Sequence, residues 1–144
     1  MKIILTAIGT RGDIEPFLAT GQILKKNGHQ AICAFSEQFR EQAESNELEF
    51  ASLGKKYFDL FESSDGKIAL GGGKGLKKIL AYLKLAIKQK QPNKEKEIKL
   101  YEIIKKEKPD RVVYNSKTIY PIIWEYKNIG KTIFLSPFPY LHYV

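Results

Sequence analysis

The sequence predicts an α/β domain: a parallel sheet of at least five strands with helices on both faces. Three observations carry this. Short apolar runs alternate with segments of helical periodicity along most of the 144 residues. Glycine or proline punctuates the junctions between them. The first fifty residues already read as strand, helix, strand, helix, strand, which favours parallel pairing with right-handed crossovers.

The opening unit is the best defined. Lys2–Ala7 is a buried strand, Ile8–Asp13 a polar glycine turn, and Ile14–Asn27 a helix with Phe17, Leu18, Gly21 and Leu24 at helical spacing. Gly28 suits the C-terminal cap. Strand two is Gln30–Phe35. Ser36 can cap a helix over Glu37–Asn46, and Leu48–Leu53 is a third strand ended by Gly54. Lys55–Gly75 holds aromatic residues and Gly71–Gly73 without clear periodicity, and is expected as a long connection.

A helix follows with Leu76, Ile79, Leu80, Leu83 and Ile87 on one side, expected to face inward. Gln91-Pro92-Asn93 breaks it. A second lysine-rich helix, Lys94–Lys106, repeats Ile98, Tyr101 and Ile104. Strand Arg111–Tyr114 comes next. Asn115 or Ser116 can cap a helix over Lys117–Lys127, with Ile119, Ile122, Ile123 and Tyr126 expected inward. Lys131–Leu135 is the fifth strand, and the chain ends in an aromatic, proline-rich segment.

The net charge of +8 is local. Residues 74–108 hold twelve lysines and four glutamates, while the rest of the chain balances at twelve basic and twelve acidic residues. These lysines read either as solvated helix faces or as a docking surface for anionic membrane. Nucleic acid is not expected, because aromatic residues do not interleave with the lysines as stacking platforms require. The single cysteine, Cys33, lies in an apolar run and reads as a buried thiol in a reducing compartment. Two histidines and one cysteine give no metal-ligand spacing. No run approaches the length of a membrane span or a signal-peptide core. A cytoplasmic domain is expected, with room for peripheral membrane association.

Asp13 is the first candidate for chemistry. It reads as a helix N-cap, as a general base, or as both. A useful base would need burial or contact with a basic group to offset the capping role. Thr10, Gly9 and Gly12 form a turn leading into a helix, a weak anion-site signal that lacks the dinucleotide and Walker patterns.

The run Gly9-Thr10-Arg11-Gly12-Asp13-Ile14-Glu15-Pro16-Phe17-Leu18-Ala19, then Leu24-Lys25-Lys26-Asn27-Gly28-His29, resembles the opening of the GT-B glycosyltransferases. The closest branch contains the sterol glucosyltransferases and the glycopeptide-antibiotic enzymes, of glycosyltransferase family 28 N-terminal type. Phe39-Arg40, Leu48-Glu49-Phe50, Lys108-Pro109-Asp110 and Tyr114-Asn115-Ser116 continue the likeness.

The resemblance implies a Rossmann-like, acceptor-binding domain over residues 1–144, with a variable basic helical insert at about 74–108. It implies inverting hexosyl transfer from a nucleotide sugar, UDP-glucose or similar, to a hydroxyl of a sterol, lipid or other apolar acceptor. Neither a tightly bound cofactor nor a metal is implied. Asp13 would be the base. Thr10 with Gly12, and more weakly Arg11, would lie toward the donor phosphates. Tyr57, Phe58, Phe61, Phe138, Tyr140 and His142 are candidates for an acceptor pocket. The donor-binding C-terminal domain is expected to be missing, so the chain alone would be half an active site. A shortened chain, a truncated product and one subunit of a split enzyme all fit. The contrasting expectation is a non-catalytic α/β domain that binds a small molecule, a membrane surface or a partner.

Overall fold

In the computed structural model, which describes residues 1–69 and 75–136, five parallel strands form one sheet in the order β3-β2-β1-β4-β5. Here β1 is Lys2–Thr6, β2 Gln30–Phe35, β3 Glu49–Ser52, β4 Arg111–Tyr114 and β5 Thr132–Phe134. The helices are α1 (Arg11–Lys26), α2 (Arg40–Ser45), α3 (Lys56–Glu62), α4 (Ser64–Lys67), α5 (Gly75–Lys88), α6 (Lys90–Glu107) and α7 (Tyr120–Glu125). The expected Rossmann-like sheet is present.

The period of two along the central strands sorts side chains onto two cores. Ile3 and Leu5 of β1, with Ala31, Cys33 and Phe35 of β2, meet Ile14, Phe17 and Leu18 of α1. Ile4, Ile32, Ala34 and Val112 point to the other face and meet Leu100 and Ile104 of α6. Near-continuous apolar runs result because both faces of the sheet are covered. Burial pushes the Cys33 thiol up to about 12.

The chain moves from β1 to β2 to β3 in one direction, then crosses to place β4 on the other side of β1. Register pairs Thr6 with both Ala34 and Tyr114. The direction of winding therefore reverses between β1 and β4. Loops leaving their carboxyl ends diverge there and open a crevice, the usual ligand position in such sheets.

Several local expectations are corrected. Lys55–Gly75 is not an unstructured connection: α3 and α4 occupy it, although residues 70–74, including Gly71–Gly73, lie outside the described residues. The break between α5 and α6 falls at Gln89, not at Pro92. Pro92 is the third residue of α6, where a missing N–H costs no helical bond. The interior face of α6 is Lys96, Leu100 and Ile104, while Ile98 and Tyr101 are exposed. In α7, Pro121 is buried and Tyr120 and Trp124 pack on the second core, whereas Ile119, Ile122, Ile123 and Tyr126 face out. Helix α5 also turns its expected inner face outward, with Ala81 and Leu85 buried instead.

Candidate active site

The β1–α1 junction differs from its expected form by one turn. Helix α1 begins at Arg11, so Asp13 is its third residue and Thr10 is the N-cap. Asp13 is therefore not the N-cap. Its carboxylate reaches back, and the Thr10 amide donates to Oδ2 at 2.9 Å, the carboxylate half of a capping box. The Thr10 hydroxyl lies 3.3 Å from the same oxygen.

Gly9 makes this possible. Its φ is +146°, a backbone region L side chains rarely adopt, and a Cβ there would collide with the Asp13 carboxylate. Gly12 is different: it lies within the helix with open space around the position of a Cβ. The turn conformation rests on Gly9. Gly12 leaves the N-terminus of α1 uncovered, where the Arg11 and Gly12 amides have no intrahelical acceptor. Arg11 itself points outward and pairs with Glu15 at 2.7 Å.

The β4–α7 loop supplies the opposing side. Asn115 is buried, and its side-chain amide donates to the Ile8 carbonyl at 2.9 Å. Its Oδ1 accepts from the Ile8 amide at 3.4 Å and from the Lys117 amide at 3.2 Å. Asn115 thus clasps the β1–α1 turn instead of capping α7. That clasp brings Lys117 beside Asp13, with Nζ 2.9 Å from Oδ1 and 3.0 Å from Oδ2. The Asp13 side chain is 7% exposed and that of Lys117 is 49% exposed. The carboxylate is thus both buried and in contact with a basic group.

Helix α6 braces this loop. The Glu97 carboxylate accepts from the amides of Ile119 and Tyr120 at 3.3 and 2.9 Å, capping α7 from another helix. Lys96, nearly inaccessible, donates to the Lys117 carbonyl at 3.4 Å and lies 4.5 Å from the centre of the Tyr57 ring. Burial lowers the Lys96 pKa, against the opposing pull of Glu97. Burial, then the Glu97 charge, raises that of Tyr57.

A cavity of about 310 Å³ opens at the junction, lined by Ile8, Gly9, Thr10, Ser36, Tyr57, Phe58 and Lys117. Tyr57 and Phe58 of α3 supply its aromatic wall, and Thr10 and Lys117 lead to the Asp13 carboxylate. The helical position of Phe61 is in α3, but its side chain lies outside the described part of the structure. Phe138, Tyr140 and His142 also lie outside the described residues.

Lys117, Asn115 and Lys96 were not expected as site residues. Asn115 was legible as a possible helix cap and as part of the Tyr114-Asn115-Ser116 likeness, without a role at the site. Pairing of Lys117 with Asp13 depends on the winding reversal, which brings together loops a hundred residues apart.

The glycosyltransferase family 28 N-terminal domain matches residues 3–120. A sterol 3-beta-glucosyltransferase of Saccharomyces cerevisiae (strain YJM789) is 38% identical over 52 residues, covering 36% of this chain and 4% of that protein. Among solved structures, the glycotransferase of kitacinnamycin superposes with a TM-score of 0.63 at 15% identity, over 94% of this chain and 30% of that one. The glycosyltransferase SsfS6 of Streptomyces sp. SF2575, complexed with thymidine diphosphate, gives a TM-score of 0.62 at 14% identity, over 93% of this chain and 38% of that one. At these identities the structural likeness shows the fold. The chain thus spans about a third of the solved chains and a small fraction of the curated relative.

Proposed function

The chain belongs to the glycosyltransferase family 28 N-terminal domain family, and from that premise we propose that it is the acceptor-binding half of an inverting, nucleotide-sugar-dependent glycosyltransferase. The observation that carries this reading is the buried Asp13 carboxylate held by Thr10 and Lys117, two residues that line an apolar cavity at the winding reversal of the sheet.

In the proposed reaction Asp13 takes the proton of an acceptor hydroxyl as its oxygen bonds to the anomeric carbon of the sugar. The bond from that carbon to the nucleotide diphosphate breaks, and its electron pair leaves on the phosphate oxygen. Attack from the face opposite the leaving group inverts the anomeric centre. The free amides at the start of α1, beside Thr10, Arg11 and Gly12, are suited to the departing negative charge. Tyr57 and Phe58 suit an apolar acceptor such as a sterol, another lipid or a polyketide-like molecule. The donor, UDP-glucose or a similar sugar nucleotide, would be held mainly by a second domain or subunit. Thymidine diphosphate bound to SsfS6 supports a nucleotide-sugar donor.

One observation favours a second reading. Lys117 occupies both oxygens of Asp13, as in a site that binds but does not transfer. For the enzyme reading, Lys117 must yield one oxygen to the acceptor hydroxyl. The experiment combines the chain with its donor-binding half, α-linked sugar nucleotides and sterol or lipid acceptors. Nuclear magnetic resonance then reads the anomeric configuration of the product. A β-linked glycoside supports the proposal. An α-linked product, or acceptor binding without transfer, contradicts it.

A further inference from the structure

Helix α6 turns one stripe inward, Lys96, Leu100 and Ile104, at four-residue spacing. Leu100 and Ile104 fill the second core. Lys96 continues the same stripe one turn earlier, where it passes from the core to the cavity. It is 3% exposed, and among the described residues it is the buried lysine. Residues 74–108 hold twelve lysines, and the others that are described keep contact with solvent. An apolar residue at this position would extend the core without the desolvation cost of an ammonium group. The stripe breaks its own pattern at one point, and that point adjoins the site.

The ammonium has three N–H donors to place. It lies 3.2 Å from Oε1 of Glu97, donates to the Lys117 carbonyl at 3.4 Å and stands 4.5 Å from the centre of the Tyr57 ring. Tyr57 belongs to α3 and Lys117 to the loop after β4, and both line the cavity. Helix α6 itself packs on both α3 and α7. One buried group thus touches two walls of the cavity. The Lys117 carbonyl is also the backbone of the residue whose side chain reaches both oxygens of Asp13. Contacts run from the Tyr57 ring through Lys96 and Lys117 to Asp13. Glu97 holds the ammonium and the amides of Ile119 and Tyr120 together, so the loop is gripped from α6 on both sides of Thr118.

We propose that Lys96 is a positioning residue: it ties the aromatic wall of the cavity to the Asp13–Lys117 pair, so that the seat of the acceptor and the proton acceptor keep one fixed relation. A misplacement of about 1 Å at reacting groups can cost about 10²-fold in rate, so a tie of this kind matters to turnover more than to folding. A buried ion pair adds little stability beside an apolar residue of similar volume. The effect on turnover rests on the reading of the chain as half of a glycosyltransferase, whereas the tie itself does not.

The test begins with nuclear magnetic resonance of the wild-type chain. A nuclear Overhauser effect is expected between the Lys96 ε-methylene and the Tyr57 ring protons, with that methylene upfield of the one on exposed Lys94. Its absence overturns the proposal whatever the variants do. Lys96→Met keeps an unbranched side chain and removes the charge and the donors. Its urea midpoint is expected to equal or exceed that of wild type, while the Asp13 carboxyl carbon and the Tyr57 ring signals move. Lys94→Met, on the exposed side of α6, should leave both in place. With the donor-binding half present, Lys96→Met is expected to lower kcat by about 10- to 100-fold and to raise the acceptor KM, with the donor KM unchanged. Wild-type kcat and acceptor KM in Lys96→Met, or an Asp13 signal at its wild-type position, overturns the proposal. So does a lowered urea midpoint with turnover lost only in proportion to the unfolded fraction, which makes Lys96 a structural residue. If wild type transfers no sugar, the proposed function falls, and the resonance shifts still decide the tie.

Discussion

The Lys117 ammonium bridges both carboxylate oxygens of Asp13, at 2.9 and 3.0 Å, across 104 residues of sequence. The two side chains leave different loops and meet where the sheet reverses its winding. One partner is buried and the other is half in solvent, which weakens the pair relative to a fully buried one. A double-mutant cycle with Asp13→Asn and Lys117→Met, followed by urea unfolding, is expected to give a coupling of about 1 kcal/mol. A coupling near zero would show that the contact does not position the carboxylate.

Gly9 in the turn and Gly12 in the first turn of α1 should respond differently to substitution. Gly9→Ala forces an L side chain to φ +146° and drives its Cβ into the Asp13 carboxylate. A loss of about 1–3 kcal/mol is expected, with Asp13 displaced. Gly12→Ala has open space and helical backbone, and should be neutral or stabilise by up to about 1 kcal/mol. Thermal unfolding of the two variants distinguishes them. Equal effects would contradict the assignment of the turn to Gly9.

Acid stability should report Glu37, between β2 and α2. Hydrogen bonds from Arg40, then Ser52, hold its carboxyl down from 4.5 to about 2. A lowered folded-state pKa contributes stability that is complete above the unfolded value. That stability is lost as pH falls through the interval from about 4.5 to about 2. Because Arg40 and Glu37 are partly solvated, the contribution is under about 1 kcal/mol. Glu37→Gln should flatten this part of the pH–stability curve and leave the neutral region nearly unchanged. A curve of unchanged slope would remove Glu37 from the acid response.

The sheet was legible because strands buried on both faces leave apolar runs that few other arrangements produce, as in Ile3–Leu5 and Ala31–Phe35. The helical insert was less so. Apolar spacing in α5 identifies a helix and a stripe, but it does not state which side finds a partner. Ala81 and Leu85 are smaller or fewer than the residues opposite them, yet their side packs on the neighbouring helix. Tyr57 and Phe58 were legible as pocket candidates by residue type, and their helical setting was not. At the site, Thr10 and Asp13 stand at capping-box spacing, so their mutual contact was written locally. Lys117 and the Asn115 clasp were not, because pairing across the winding reversal is a property of topology and leaves no local pattern.

The proposed reaction rests on Asp13 as the base of sugar transfer. Its most direct test is kcat for acceptor glycosylation by the chain combined with its donor-binding half, comparing wild type with Asp13→Asn. The asparagine is similar in size and removes the proton acceptor. A fall of about 10²–10⁴-fold in kcat, with the folded structure retained by circular dichroism, is the expected result. Turnover of the variant equal to wild type would contradict the claim.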